Sequence, residues 1–150
     1  MTDRVVTFQF CDDIRQEIGN KFSLVGCYAG GVIQVSPIPS VLPKLCAVVT
    51  VRTPLERPFK SLVTRIMNEG KSIAEIAFDP QSISIPSIPM PEGATWHALT
   101  AVFVLTPFAV EAPCTLTVEA ETEEETLLGG KVWIQAVPSG TAPEHAQARA

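Results

Sequence analysis

Apolar and polar residues alternate with a period of two in one short segment after another, and no helical period is sustained anywhere in the chain. Successive side chains of a strand point to opposite faces, so this pattern commits the chain to half-buried strands. From Arg4 to Cys11, Val6, Phe8 and Phe10 share one face, and Val5, Thr7 and Gln9 the other. Lys21 to Tyr28 alternates again, and Gly30-Gly31 turns the chain into a strand over 31–35. Lys44 to Arg52 is apolar on both faces, with Leu45, Ala47, Val49 and Val51 on one and Cys46 and Val48 on the other. Such a strand is central in its sheet or covered on both sides. From Pro113 to Glu121, Leu116, Val118 and Ala120 point inward, and Thr115, Thr117, Glu119 and Glu121 outward. Lys131 to Val137 mirrors it: Val132, Ile134 and Ala136 in, Lys131, Trp133 and Gln135 out.

The segments between these runs set the turns. Residues 59–67 and 71–78 read as a hairpin closed by a three-residue-type loop at Asn68-Glu69-Gly70. Trp96 to Val110 is a long strand region broken near Pro107. Pro37, Pro39 and Pro43 exclude a central strand over 36–43, which leaves a crossing loop or an extended edge. Gly129-Gly130 reads as a turn pair. Residues 12–21, DDIRQEIGNK, depart from the alternation: Ile14 and Ile18 stand four apart, with Asp12 and Asp13 ahead and Gly19-Asn20 behind. That spacing reads as one or two helical turns or an irregular loop.

Together these segments predict an all-β fold: an antiparallel β-sandwich, jelly-roll or immunoglobulin-like, of about eight or nine strands with at most one short helix. A single domain covers 1–137, and the small, polar stretch 138–150 reads as a flexible tail.

Chemistry is sparse. Nine basic residues face seven acidic ones in 1–75, and two face nine in 76–150, so no basic stripe exists to neutralise phosphates. Nucleic acid and an anionic membrane surface are excluded as partners on that ground. The longest apolar stretch, 99–110, is too short to span a bilayer. MTDRVVTFQF lacks the basic and apolar regions of a secretory leader, so the expected location is the cytoplasm, or an assembled particle. Cys11, Cys27, Cys46 and Cys114 are too far apart in sequence for a metal-binding pair and read as buried free thiols of a reducing compartment. His97, beside Trp96 in a strand, would need a nucleophile and an orienting carboxylate near it in space to act as a base, and reads as a surface or half-buried packing residue. Asp12, Asp13 and Glu17 read as helix caps, and the run Glu119 to Glu125 as a solvated acidic edge. No phosphate-binding glycine loop or nucleophile elbow occurs. No cofactor or metal is called for, and no enzymatic activity is expected.

The stretch FCDDIRQEIGNKFSLVGCYAGG, with LPKLCAVVTVRTPLERPF after it, resembles a family of small uncharacterised bacterial and phage-encoded all-β proteins. Asp12, Asp13, Gly19, Lys21, Ser23, Leu24, Leu42, Pro43 and Leu45 carry the resemblance, over roughly the first half of the chain. Asn20-Lys21-Phe22 departs from the family's tighter Gly-Lys pairing. The family implies no activity.

Three functional readings remain. Charged residues make up only 18% of the chain, a low share that suits a surface covered by a partner. The proline-rich stretch 79–95 carries Ile83, Ile85, Ile88 and Met90, which with the outward Trp133 form a candidate interaction surface. The leading reading is therefore a non-enzymatic structural or protein-interaction protein: a homo-oligomeric assembly, a phage virion component or an adaptor, its partner itself or another protein. The second is a small-ligand or carbohydrate-binding module using Tyr28, Trp96 or Trp133 as stacking faces. The third is a jelly-roll enzyme with a site dispersed over loops around Asp12, Asp13 or His97.

Overall fold

The computed structural model describes residues 3–83 and 88–138. Eleven strands and one helical turn follow in order among them: β1 (Val5–Glu17), β2 (Lys21–Cys27), β3 (Val32–Val35), β4 (Ser40–Leu42), β5 (Leu45–Pro54), β6 (Leu62–Asn68), β7 (Lys71–Ala77), α1 (Pro80–Ile83), β8 (Trp96–Leu105), β9 (Phe108–Val110), β10 (Cys114–Thr122) and β11 (Thr126–Ala136). The fold is an all-β sandwich. One sheet has the order β2-β1-β5-β8, the other β3-β11-β10-β6-β7, and β4 pairs with β9 apart from both. All pairings are antiparallel except β3 with β11.

The alternating residues build the core between the sheets. Leu45, Ala47, Val49 and Val51 of β5 and Ala101 and Phe103 of β8 join one buried cluster with Leu116, Val118 and Ala120 of β10 and Val132 and Ile134 of β11. Strand β5 is central in its sheet, between β1 and β8, as its two apolar faces require. Ala136, expected inward, is exposed at the end of β11.

Four local expectations are corrected. Residues 12–17 are neither helix nor loop but the second half of β1, paired with β2 from Asp13↔Val25 to Glu17↔Lys21. Gly19 and Asn20 take positive φ in the connecting turn, not at a helix end. A single Ile14–Ile18 pair is too weak a helical signal to compete with a matching partner strand. The β6–β7 turn has two residues, Glu69 and Gly70, both at positive φ, the backbone of a type I′ hairpin whose twist suits the flanking strands. The only helical turn among the described residues lies in the proline-rich stretch, at Pro80–Ile83.

Gly129 and Gly130 are the fourth correction. They lie inside β11, where the register shifts from Glu119↔Leu128 to Val118↔Gly130 and leaves Gly129 as an extra, bulged residue. This bulge sits against β1 of the facing sheet. A Cβ at 129 would stand 2.9 Å from Val6 Cγ1, and one at 130 would stand 2.8 Å from Phe8 Cε1. The close approach of the two sheets selects glycine at 129, and at 130 a φ of +145° selects it as well; neither residue is in a turn between strands.

Candidate protein-interaction surface

Strand β1 serves two partners in succession. Residues 5–11 pair with β5, and residues 11–17 pair with β2. Strand β2 is the outer strand of its sheet and hydrogen-bonds to β1 alone. Residues 13–25 therefore form a two-stranded arm beyond the β5 pairing. Ile14 lies opposite Leu24, and Gln16 opposite Phe22, so one face of the arm is largely apolar. Ile18 at the tip is 95% exposed, and Phe22 and Val25 are exposed as well. The other face carries charge. Lys44 donates to Asp13 at 2.9 Å, and Ser23 donates to Glu17 at 2.8 Å. The Lys44 ammonium holds the Asp13 carboxyl below its ordinary range.

Trp133 lies outward, as its alternation predicts, and is 50% exposed. It stands opposite Val32 of β3 and Thr115 of β10, with exposed Lys131 and Gln135 two residues away on its own strand. Its backbone N–H donates to the Gly31 carbonyl at 2.9 Å. At Gly31 a Cβ would meet the indole at 3.8 Å, so the glycine leaves that part of the ring uncovered.

The other candidates differ in exposure. Ile83 is 0% exposed and belongs to the core, which removes it from the interaction surface. The turn of α1 swings it inward: its N–H and that of Ser82 both donate to the Asp79 carbonyl. Ile85 lies outside the described residues. Ile88 and Met90 are exposed, on the connection between β7 and β8. Ile18 escaped the sequence reading because residues 12–20 were not read as strand, and Phe22 because its partner strand was therefore missing.

The acidic run at 119–125 is an ion-pair system rather than a solvated edge. Arg65 lies across the outer face among Glu75, Glu119 and Glu121. Arg57 pairs with Glu124 at 2.6 Å. Arg4, with a buried side chain, donates to Glu123 at 2.7 Å and to Thr53 Oγ1 at 3.1 Å, and lies over the Phe59 ring. Glu123 also accepts from the backbone N–H groups of Lys60 and Ser61. Burial works to raise the Glu123 carboxyl, but these bonds, led by Arg4, prevail and lower it to about 2. A concavity of about 480 Å³ opens over this network, with Arg4 engaged by Glu123 and Arg57 by Glu124 in its wall.

The remaining chemical candidates are dispersed. His97 is buried, and burial lowers its pKa. Asp12 accepts from the Tyr28 hydroxyl at 2.6 Å, apart from Asp13 and Glu17 with their own partners. Trp96 stacks against the Arg52 guanidinium at 4.8 Å. All four cysteines are free thiols; Cys11 and Cys46 are buried, whereas Cys27 is exposed. Among the described residues no group of three or more His, Cys, Asp or Glu side chains is placed to hold a metal ion. No helix among them is long and apolar enough to cross a membrane. Comparison with protein-family models, with curated proteins and with solved structures finds no match in any of the three.

Proposed function

We propose that this chain is a non-enzymatic structural component that assembles with copies of itself through the β1–β2 arm. The observation that supports this reading is the arm: a two-stranded ribbon with Ile18, Phe22 and Val25 in water and an open edge along β2. A lone two-stranded hairpin is marginal in water, and an open edge invites another strand. The arm carries Asp13 and Glu17 against Arg15 and Lys21, so a second copy meets no net repulsion there. A component of a repeating shell, such as a virion, is one form of this reading. Light scattering over a range of concentrations tests it: a discrete oligomer is expected, converted to monomer by Phe22→Asp. A monomer at every concentration overturns it.

The second reading, a small-ligand or carbohydrate-binding module, draws on Trp133, a half-exposed aromatic with Thr115, Lys131 and Gln135 around it. Quenching of tryptophan fluorescence by a panel of soluble glycans, lost in Trp133→Ala, is the expected sign. No quenching across the panel removes it.

A further inference from the structure

Three of the four cysteines stand side by side across three adjacent strands. Cys11 on β1 faces Cys27 on β2 and, on its other side, Cys46 on β5. Directly opposed residues project from the same face of a sheet. The two pairings are not equivalent. The Tyr28 N–H donates to the Phe10 carbonyl at 3.0 Å, which makes Phe10–Tyr28 a hydrogen-bonded position of the β1–β2 ladder. Positions alternate in an antiparallel pair, so Cys11–Cys27 is a non-hydrogen-bonded position, where Cα atoms approach to ~4.5 Å and side chains are closest. Cys11 then directs its backbone bonds toward β5, and Cys11–Cys46 takes the wider spacing of ~5.5 Å. A disulfide needs Cβ atoms within ~3.5–4.5 Å, which the closer position meets better.

Access separates the two pairs further. Cys46 and Cys11 are buried, but Cys27 is exposed, so a dissolved reagent reaches this row of thiols at Cys27 first. We propose that Cys27 and Cys11 form a thiol–disulfide site that takes a small disulfide of the glutathione class as its oxidant and locks the base of the arm. The Cys27 thiolate attacks one sulfur of the reagent, forming a mixed disulfide and expelling one reagent thiolate, which takes a proton. The Cys11 thiolate then attacks the Cys27 sulfur, forming the Cys11–Cys27 bond and expelling the second reagent thiolate. The two protein thiols lose two electrons and two protons, and the reagent disulfide leaves as two thiols. Burial, then the neighbouring Cys46 and Cys27, push the Cys11 thiol up to about 11, so little of it is thiolate at neutral pH. The bond closes a loop over the whole arm and needs no second copy, so it stands apart from the assembly reading.

The full chain, incubated with oxidised glutathione and then alkylated under denaturing conditions, provides the test. Trypsin cuts after Arg4, Arg15, Lys21 and Lys44, which places Cys11, Cys27 and Cys46 in three separate peptides. The expected product is a monomer with two thiols protected, in which peptide 5–15 is linked to peptide 22–44. Cys46→Ser keeps that link and Cys27→Ser abolishes it, with circular dichroism confirming that both variants fold. Glutathione retained on Cys27, a link from Cys11 to Cys46, or a link between two chains would overturn the proposal, and wild-type mapping alone reads all three.

Discussion

Gly129 decides which face of the sandwich Trp133 occupies. Leu127, ahead of the bulge, and Val132, behind it, both point inward although they are five residues apart. An unbroken strand alternates strictly, so two inward residues must be an even number apart. The extra residue at Gly129 supplies the missing step and turns Leu128 and Trp133 to solvent.

Gly129→Ala should therefore destabilise the fold by about 1–3 kcal/mol, as overpacking does. The new methyl group meets the Val118 carbonyl at 3.2 Å as well as Val6, and a backbone atom cannot turn aside. Urea unfolding measures it; an unchanged midpoint would mean that the sheets do not approach closely there.

The part-buried Arg4–Glu123 ion pair gives an acid-dependent stability. The folded-state pKa of Glu123 lies near 2 against an ordinary 4.5, so its contribution is present above about pH 5 and is lost as pH falls through 4.5 toward 2. Solvent reaches Glu123 and screens the pair, which leaves roughly 1–2 kcal/mol at neutral pH. Glu123→Gln should lower stability at pH 7 by about 1–2 kcal/mol and flatten the acid limb of a stability–pH profile. A variant that keeps the wild-type acid slope would assign that slope to other carboxylates.

Ile83 and Ile88 offer a contrast within one connection. Ile83→Ala removes a fully buried side chain and should cost about 2–5 kcal/mol. Ile88→Ala, at an exposed position, should stay within about 0.5 kcal/mol. Equal losses in thermal unfolding would contradict the inward turn of α1.

At the arm, Ile18→Asp and Phe22→Asp should leave the unfolding of a monomer within about 0.5 kcal/mol of wild type while abolishing self-association. Sedimentation velocity separates this outcome from misfolding. Variants that assemble as well as wild type would move the contact to another face.

The core was legible because period-two alternation states which side chains share a face. Leu116, Val118 and Ala120 needed nothing more, and Trp133 was read outward from its own four neighbours. The arm was not legible, because strand identity at residues 12–17 rests on register with β2 and the sequence there also offers a helical spacing. Gly129-Gly130 misled for a related reason: a close approach between sheets and a tight turn both select glycine, and only the facing Val6 and Phe8 tell them apart. The ion pairs of Arg4 and Arg65 join residues far apart in the chain, which no local pattern encodes.

The division of β1 between two partners has an energetic consequence. An opening confined to residues 12–27 breaks the β1–β2 ladder and leaves the β1–β5 ladder from Val5 to Cys11 intact. Amide protons of the arm then exchange with solvent through a local event, at a free energy well below that of global unfolding. The order of residues 12–27 is set separately from that of the core, and whatever binds the arm acts on that local equilibrium alone.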